Sequence, residues 1–162
     1  MNRQSVVKLD KSSALQPNRQ PRSSALDNSV LESKIGYQIH MADRIMSRDF
    51  INNVGLTRVQ YSVYSLVATN DNLSQVDVGE SLSMDRASTM AVVNKLEAAG
   101  LIERRVSTAD KRMYALRLTD AGRKGFSAIN RKVIEHEKKF QDRLTASQQT
   151  VFFKCLWKIR NS

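Results

Sequence analysis

The sequence predicts a mostly helical chain carrying one small two-stranded β-hairpin. Three observations predict it. Apolar residues recur at spacings of three and four over most of residues 30–100 and 120–160, which is the helical period. Helix-capping residues punctuate these runs at Thr57, Ser74, Asp85, Thr119 and Thr145. Residues 102–106 and 114–118 read as strands on either side of a polar, basic turn that contains Asp110, Lys111 and Arg112.

From Val30 the stripe Leu31, Ile35, Ile39, Ala42, Ile45, Met46 and Phe50 predicts one amphipathic helix, closed at Gly55. Thr57-Arg58-Val59-Gln60 is a capping box and opens a helix carrying Val59, Val63, Leu66 and Val67, which stops near Asn70-Asp71-Asn72. Ser74 caps a short helix with Val76, Val78 and Leu82. After Ser83-Met84, Asp85 caps another, with Thr89, Val92, Val93 and Leu96 on its inner side and Gly100 as its left-handed stop. Two short helices about a tight turn make a helix-turn-helix, and the hairpin behind them makes it winged. Beyond Thr119 a long helix places Phe126, Ile129, Val133, His136 or Glu137, Phe140 and Leu144 along a narrow seam suited to a partner helix. The capping box Thr145-Ala146-Ser147-Gln148 starts a last helix with Val151, Phe152, Leu156 and Ile159. Cys155, between two of these, reads as an inert, small, packed hydrophobe.

Composition narrows the function. The 162 residues include 26 Lys plus Arg against 16 Asp plus Glu, a formal net charge of +10. That sign favours polyanions, nucleic acid first and an anionic membrane surface second. No apolar run approaches the roughly 18 residues of a membrane span, and the first residues do not form a secretory signal. The single cysteine allows neither an intrachain disulfide nor a cysteine cluster for zinc, so a reducing cytoplasm fits. No nucleophile-and-base motif, phosphate-cradling glycine loop or metal cluster is present, so an enzyme, a cofactor and a metal find no residues to carry them. Residues 1–28 hold both prolines and five basic residues (Arg3, Lys8, Lys11, Arg19 and Arg22) against two acidic ones. They read as a mobile arm, either touching DNA phosphates or solvated without a role.

On the helix that follows Asp85, the face opposite Val92, Val93 and Leu96 holds Arg86, Ala87, Met90, Ala91 and Asn94. Arginine forks onto guanine, asparagine bonds adenine, and small apolar groups pack on thymine methyls, so these are candidate base readers. Ser88 and Lys95 are placed for phosphates. In the hairpin, Arg104, Arg105 and Arg117 can add phosphate contacts, but Arg104 and Arg105 cannot share a face because strand neighbours alternate.

These residues carry a resemblance. Leu96-Glu97-x-x-Gly100-Leu101-Ile102-x-Arg104, then Asp110-x-Arg112, then Leu118-Thr119-x-x-Gly122, preceded by Thr57-x-x-Gln60, is similar to the MarR-type transcription regulators from about residue 30 to the C-terminus. The resemblance implies a homodimer whose helices at residues 29–54 and 120–162 form the dimerisation region, with a winged helix-turn-helix DNA-binding domain at 55–119. It implies a pseudo-palindromic double-stranded operator, repression, and release by a small-molecule effector. It implies that Asp110 orients Arg112 into the minor groove, with Lys111 replacing a common second arginine. It places an effector near the first, second and fifth helices of the family pattern, where Tyr37, His40, Met41, Arg44, Tyr61 and Tyr64 fit an aromatic acid or its thioester. The tyrosines read off the apolar stripe of their helix. One departure is Val78-Gly79, where the family has Leu-Ala; a glycine inside a helix costs roughly 1 kcal/mol, which predicts a looser helix. Two rivals remain open: a winged-helix module that docks on protein, and a repressor that senses oxidants through Cys155.

Overall fold

The structure is a computed structural model that describes residues 27–107 and 114–161. Its elements run α1 (Ser29–Glu32), α2 (Ile35–Val54), α3 (Arg58–Thr69), α4 (Gln75–Ser81), α5 (Arg86–Ala98), β1 (Ile102–Val106), β2 (Tyr114–Leu118), α6 (Asp120–Gln141) and α7 (Ala146–Arg160). The chain divides into two compact units, residues 1–38 and 39–162, and α2 runs across the division. Apart from Asp27 and Asn28, the arm expected over residues 1–28 lies outside the described residues, as do Asp110, Lys111 and Arg112 of the turn.

The caps act where the sequence puts them. The Thr57 hydroxyl accepts from the Gln60 amide at 3.1 Å while the Gln60 side chain accepts from the Thr57 amide at 2.7 Å. Ser74 with Asp77, and Thr145 with Gln148, close the same reciprocal pair. Each box satisfies two amides that the first helical turn leaves without partners. Gly100, at φ +68°, closes α5 in a left-handed conformation that any side chain would strain.

One helix was expected from residue 30, and the chain breaks it at Ser33-Lys34. The Ser33 hydroxyl donates to the Val30 carbonyl at 3.0 Å, and the Lys34 amide turns to Leu31, three residues back, at 2.9 Å. A serine that offers the backbone a local bond competes with the helix ladder at that point.

The winged domain is built around one core. Val63, Tyr64 and Val67 of α3, Val78 of α4, Val93 and Leu96 of α5, and Ile102, Leu116 and Leu118 of the hairpin are buried together. The strands pair antiparallel in the register Ile102 to Leu118 and Val106 to Tyr114. Leu73 adds a single bridge to Leu116, through a 2.8 Å bond from the Leu116 amide to the Leu73 carbonyl, and so ties the start of the helix-turn-helix to the hairpin. Val76, expected inside, faces out, and Val78 and the half-buried Leu82 do the packing of α4.

Tyr64 corrects the reading that both tyrosines lie off the apolar stripe. It is fully buried, stacks edge-on against Phe126 at 5.3 Å between centroids, and donates its hydroxyl to the Gly122 carbonyl. Burial raises its pKa. Gly79, the departure expected to loosen α4, has a packing reason instead. A Cβ there meets the Thr89 hydroxyl at 3.1 Å and the Met84 carbonyl at 3.2 Å, so glycine lets the two helices of the motif approach.

A smaller core joins α2 to α6 through Phe50, Val54 and Val133. His136, not Glu137, occupies the seam of α6. Its Nε2 lies 3.1 Å from the Met46 carbonyl and therefore carries the proton, since a carbonyl only accepts. Lys139 bonds Asp49, which holds that carboxyl below the ordinary aspartate range. The helix ends at Gln141, so Leu144 lies past its end. On α7 no residue is buried. Val151, Phe152, Phe153, Trp157 and Ile159 are exposed, and so is Cys155, which corrects its reading as a packed hydrophobe. Apolar side chains ring this helix instead of forming one stripe, and the described chain does not cover them.

Candidate nucleic-acid interface

The site begins with the geometry of α5. Thr89, Val93 and Leu96 are buried, which turns Arg86, Ala87, Met90, Ala91, Asn94 and Lys95 outward along one exposed face. The buried Thr89 hydroxyl donates to the Asp85 carbonyl at 2.8 Å and so needs nothing from solvent. Ser88, expected on a phosphate, is exposed but held by the cap. Its amide and hydroxyl donate to the two Asp85 oxygens at 2.8 and 2.7 Å.

Those bonds hold the Asp85 carboxyl below its ordinary pKa. A lowered native pKa stabilises the fold above the unfolded pKa, and that stabilisation is lost as pH falls through the native value. Asn also caps well and does not titrate. From about pH 5 downward, Asp85→Asn is therefore expected to lose less thermal stability than the wild type. Equal acid sensitivity in a melting series would remove Asp85 from the acid response.

Beside α5 a groove of about 590 Å³ opens between the two short helices and the hairpin, walled by Ser74, Gln75, Glu80, Arg86, Arg104 and Tyr114. Arg104 and Arg105 do lie on opposite faces of β1. Arg105 pairs with Glu103 at 2.8 Å and points to solvent. The Arg104 side chain instead turns inward, where its guanidinium bonds Glu97, Asn94 at 2.7 Å and Gln75 at 3.2 Å. Two residues read from the sequence as separate DNA contacts, Arg104 and Asn94, thus bind each other. Arg117 donates to Asn72 at 3.0 Å. Gln75 and Tyr114 escaped the sequence reading, and Glu97 entered it only as a motif residue without a role. The position of Gln75, first in its helix after the Ser74 cap, is the one local signal that points to any of them.

The effector candidates are spread. Tyr37 is half-buried and belongs to the unit of residues 1–38. In the other unit His40 and Arg44 are exposed, Met41 is half-buried, and Tyr61 donates to Asn130 at 2.7 Å while packing on Phe50. Tyr64 lies behind this surface, inside the core. Among the described residues no group of His, Cys, Asp or Glu can hold a metal, and no helix is long and apolar enough to cross a membrane.

A two-strand wing on a helix-turn-helix, with a basic outward face on its second helix, defines a DNA-binding regulator. Residues 54–113 match the model of the MarR family. A proposed transcriptional regulatory protein for the hcr operon of Thauera aromatica is 28% identical over 128 residues, covering 76% of this chain and 77% of that protein. The transcriptional repressor CouR, solved on a 23-mer DNA duplex, superposes with a TM-score of 0.77 at 28% identity, covering 85% of this chain and 99% of that one. CouR bound to p-coumaroyl-CoA gives 0.77 at 26% identity, covering 84% and 98%. Over these spans the chain is similar to the MarR family of winged helix-turn-helix transcription regulators.

Proposed function

We propose that the chain is a homodimeric repressor that binds a pseudo-palindromic operator and is released from it by an aromatic acid or its thioester. The observation that carries this is the outward face of α5, basic and small, beside a hairpin whose turn sequence holds Lys111 and Arg112. An arginine beside the recognition helix suits the minor groove, where negative potential is focused. Residues 55–119 act as the DNA-binding domain, and residues 29–54 and 120–162 as the dimerisation region. The exposed apolar side chains of α7 support that division, because a second copy is the natural cover for them. CouR, a relative at 28% identity, was solved on DNA, and at 26% identity with an aromatic acyl-CoA, which supports both ligand classes.

The mechanism is geometric. Two recognition helices must sit roughly 34 Å apart to enter successive major grooves. An effector against His40, Met41, Arg44 and Tyr61 favours another spacing and loosens DNA by its difference in affinity for the two shapes, and by no more than that. Arg44 and His40 supply donors for an anion, and Met41 and Tyr61 supply apolar surface.

The test is fluorescence anisotropy on an inverted-repeat duplex enriched from a random pool, with a scrambled duplex as control. The enriched duplex is expected to bind more tightly than the scrambled one, and p-coumaroyl-CoA or a similar thioester to weaken it. Arg112→Ala is expected to weaken both duplexes and to lower the slope of log affinity against log salt by about 0.9. A chain that stays monomeric, or that prefers no inverted repeat, ends the proposal.

A further inference from the structure

We propose that Arg104 makes no DNA contact but determines what Asn94 and Gln75 can read, by pinning the side-chain oxygens of both amides. This rests on the reading that α5 enters DNA.

A guanidinium has only N–H groups, so it always donates. The atoms that face Arg104 are therefore the oxygens, Asn94 Oδ1 at 2.7 Å and Gln75 Oε1 at 3.2 Å, both on Nη2. Its Nη1 is held on the opposite side by Glu97. Four residues from α4, α5 and β1 thus share one planar fork, and two of them, Gln75 and Arg104, line the groove together with Arg86 and Tyr114.

The consequence is chemical. Bidentate recognition of adenine by asparagine needs both amide ends, the oxygen accepting from N6 and the NH2 donating to N7. Asn94 has committed one lone pair of its oxygen to Arg104, which orients the amide so that its NH2 is the end left free. It can bond acceptors such as guanine O6 or N7, thymine O4 or a phosphate oxygen, and the adenine pair that the sequence assigns to it is disfavoured, because it must use the second lone pair of an oxygen whose direction Arg104 sets. Glu97 is the anchor. Its carboxylate holds Arg104, Arg104 holds the amides, and the two helices and β1 stay in one arrangement on the DNA. Glu97 is then a positioning residue whose negative charge favours binding to a polyanion.

That last point gives opposite signs. By charge alone, Glu97→Gln removes a repulsion and tightens every duplex. By positioning, it frees Arg104 and weakens the enriched inverted-repeat duplex while leaving the scrambled duplex unchanged or tighter. The experiment measures wild type, Glu97→Gln, Arg104→Ala and the double variant on both duplexes across a KCl series, with circular dichroism and melting to establish folding. A loss of about tenfold on the enriched duplex alone is expected for each single variant, and no further loss for the double. Arg104→Ala is also expected to keep the wild-type salt slope and to admit adenine at the base pair under Asn94. Enriched-duplex binding by Glu97→Gln that equals or exceeds wild type overturns the proposal. So does an Arg104→Ala slope that falls by about 0.9, the signature of a lost phosphate contact. Because Glu97→Gln is nearly isosteric, it keeps the test decisive if Arg104→Ala unfolds. Wild-type protein that does not distinguish the two duplexes overturns the DNA reading itself, and the proposal with it.

Discussion

Gly122→Ala is expected to destabilise the protein by about 3 kcal/mol, the upper range for overpacking against a backbone that cannot yield. A Cβ at this position falls 2.9 Å from the Leu101 carbonyl carbon and closer still to its oxygen. That oxygen is fixed, because it accepts from the Thr119 amide at 3.2 Å. Thr119 in turn caps α6 by accepting from the Gly122 amide at 2.9 Å and donates to the Gly100 carbonyl. Tyr64 holds the same turn from the core by bonding the Gly122 carbonyl. Any movement that relieves the methyl breaks a cap or a buried bond. For a chain of this length the loss corresponds to about 6–12 °C in Tm, read at fixed protein concentration because an associating protein melts as a function of it. Gly125, three residues on, is the control. A Cβ there meets the Tyr64 hydroxyl at 3.7 Å, an ordinary contact, so Gly125→Ala is expected to be neutral or stabilising by up to about 1 kcal/mol from helix propensity. Equal melting of the two variants would show that the junction between α5 and α6 gives way freely.

Arg86→Ala is expected to have the largest effect on sequence preference. Arg86 opens α5, is exposed, and walls the groove, so its fork is free to meet a base edge. Loss of a bidentate contact costs about 1–3 kcal/mol against the wrong base and relaxes preference at one base pair, whereas loss of a phosphate contact weakens all sequences alike. Competition by a set of singly substituted inverted-repeat duplexes separates the two. If preference survives at every position, Arg86 touches phosphate or nothing.

The family motif acquires a physical meaning here. In Leu118-Thr119-x-x-Gly122 the threonine caps a helix and the glycine admits the Leu101 carbonyl of the preceding elbow. In Leu96-Glu97-x-x-Gly100-Leu101-Ile102-x-Arg104 the glutamate and arginine clasp each other across the turn that Gly100 makes. Each short motif is one side of a contact with another.

Sequence alone determined the elements of the winged domain and their ends, because caps, glycine stops and strand alternation act within a few residues. Thr57, Ser74, Asp85, Gly100 and Thr119 each do locally what their chemistry requires. It also pointed to a polyanionic partner, since +10 charges and a basic helix face are properties of composition and period. Tertiary structure decided the rest. Tyr64 went into the core because α6 brought Phe126 and the Gly122 carbonyl to meet it. Cys155 stayed outside because nothing in the described chain packs on its side of α7. Arg104 turned onto its own chain because Glu97, Asn94 and Gln75, up to 29 residues away in sequence, converge on it. A guanidinium with three partners inside its own chain is settled by where those partners lie in space, and no spacing rule along the chain contains that.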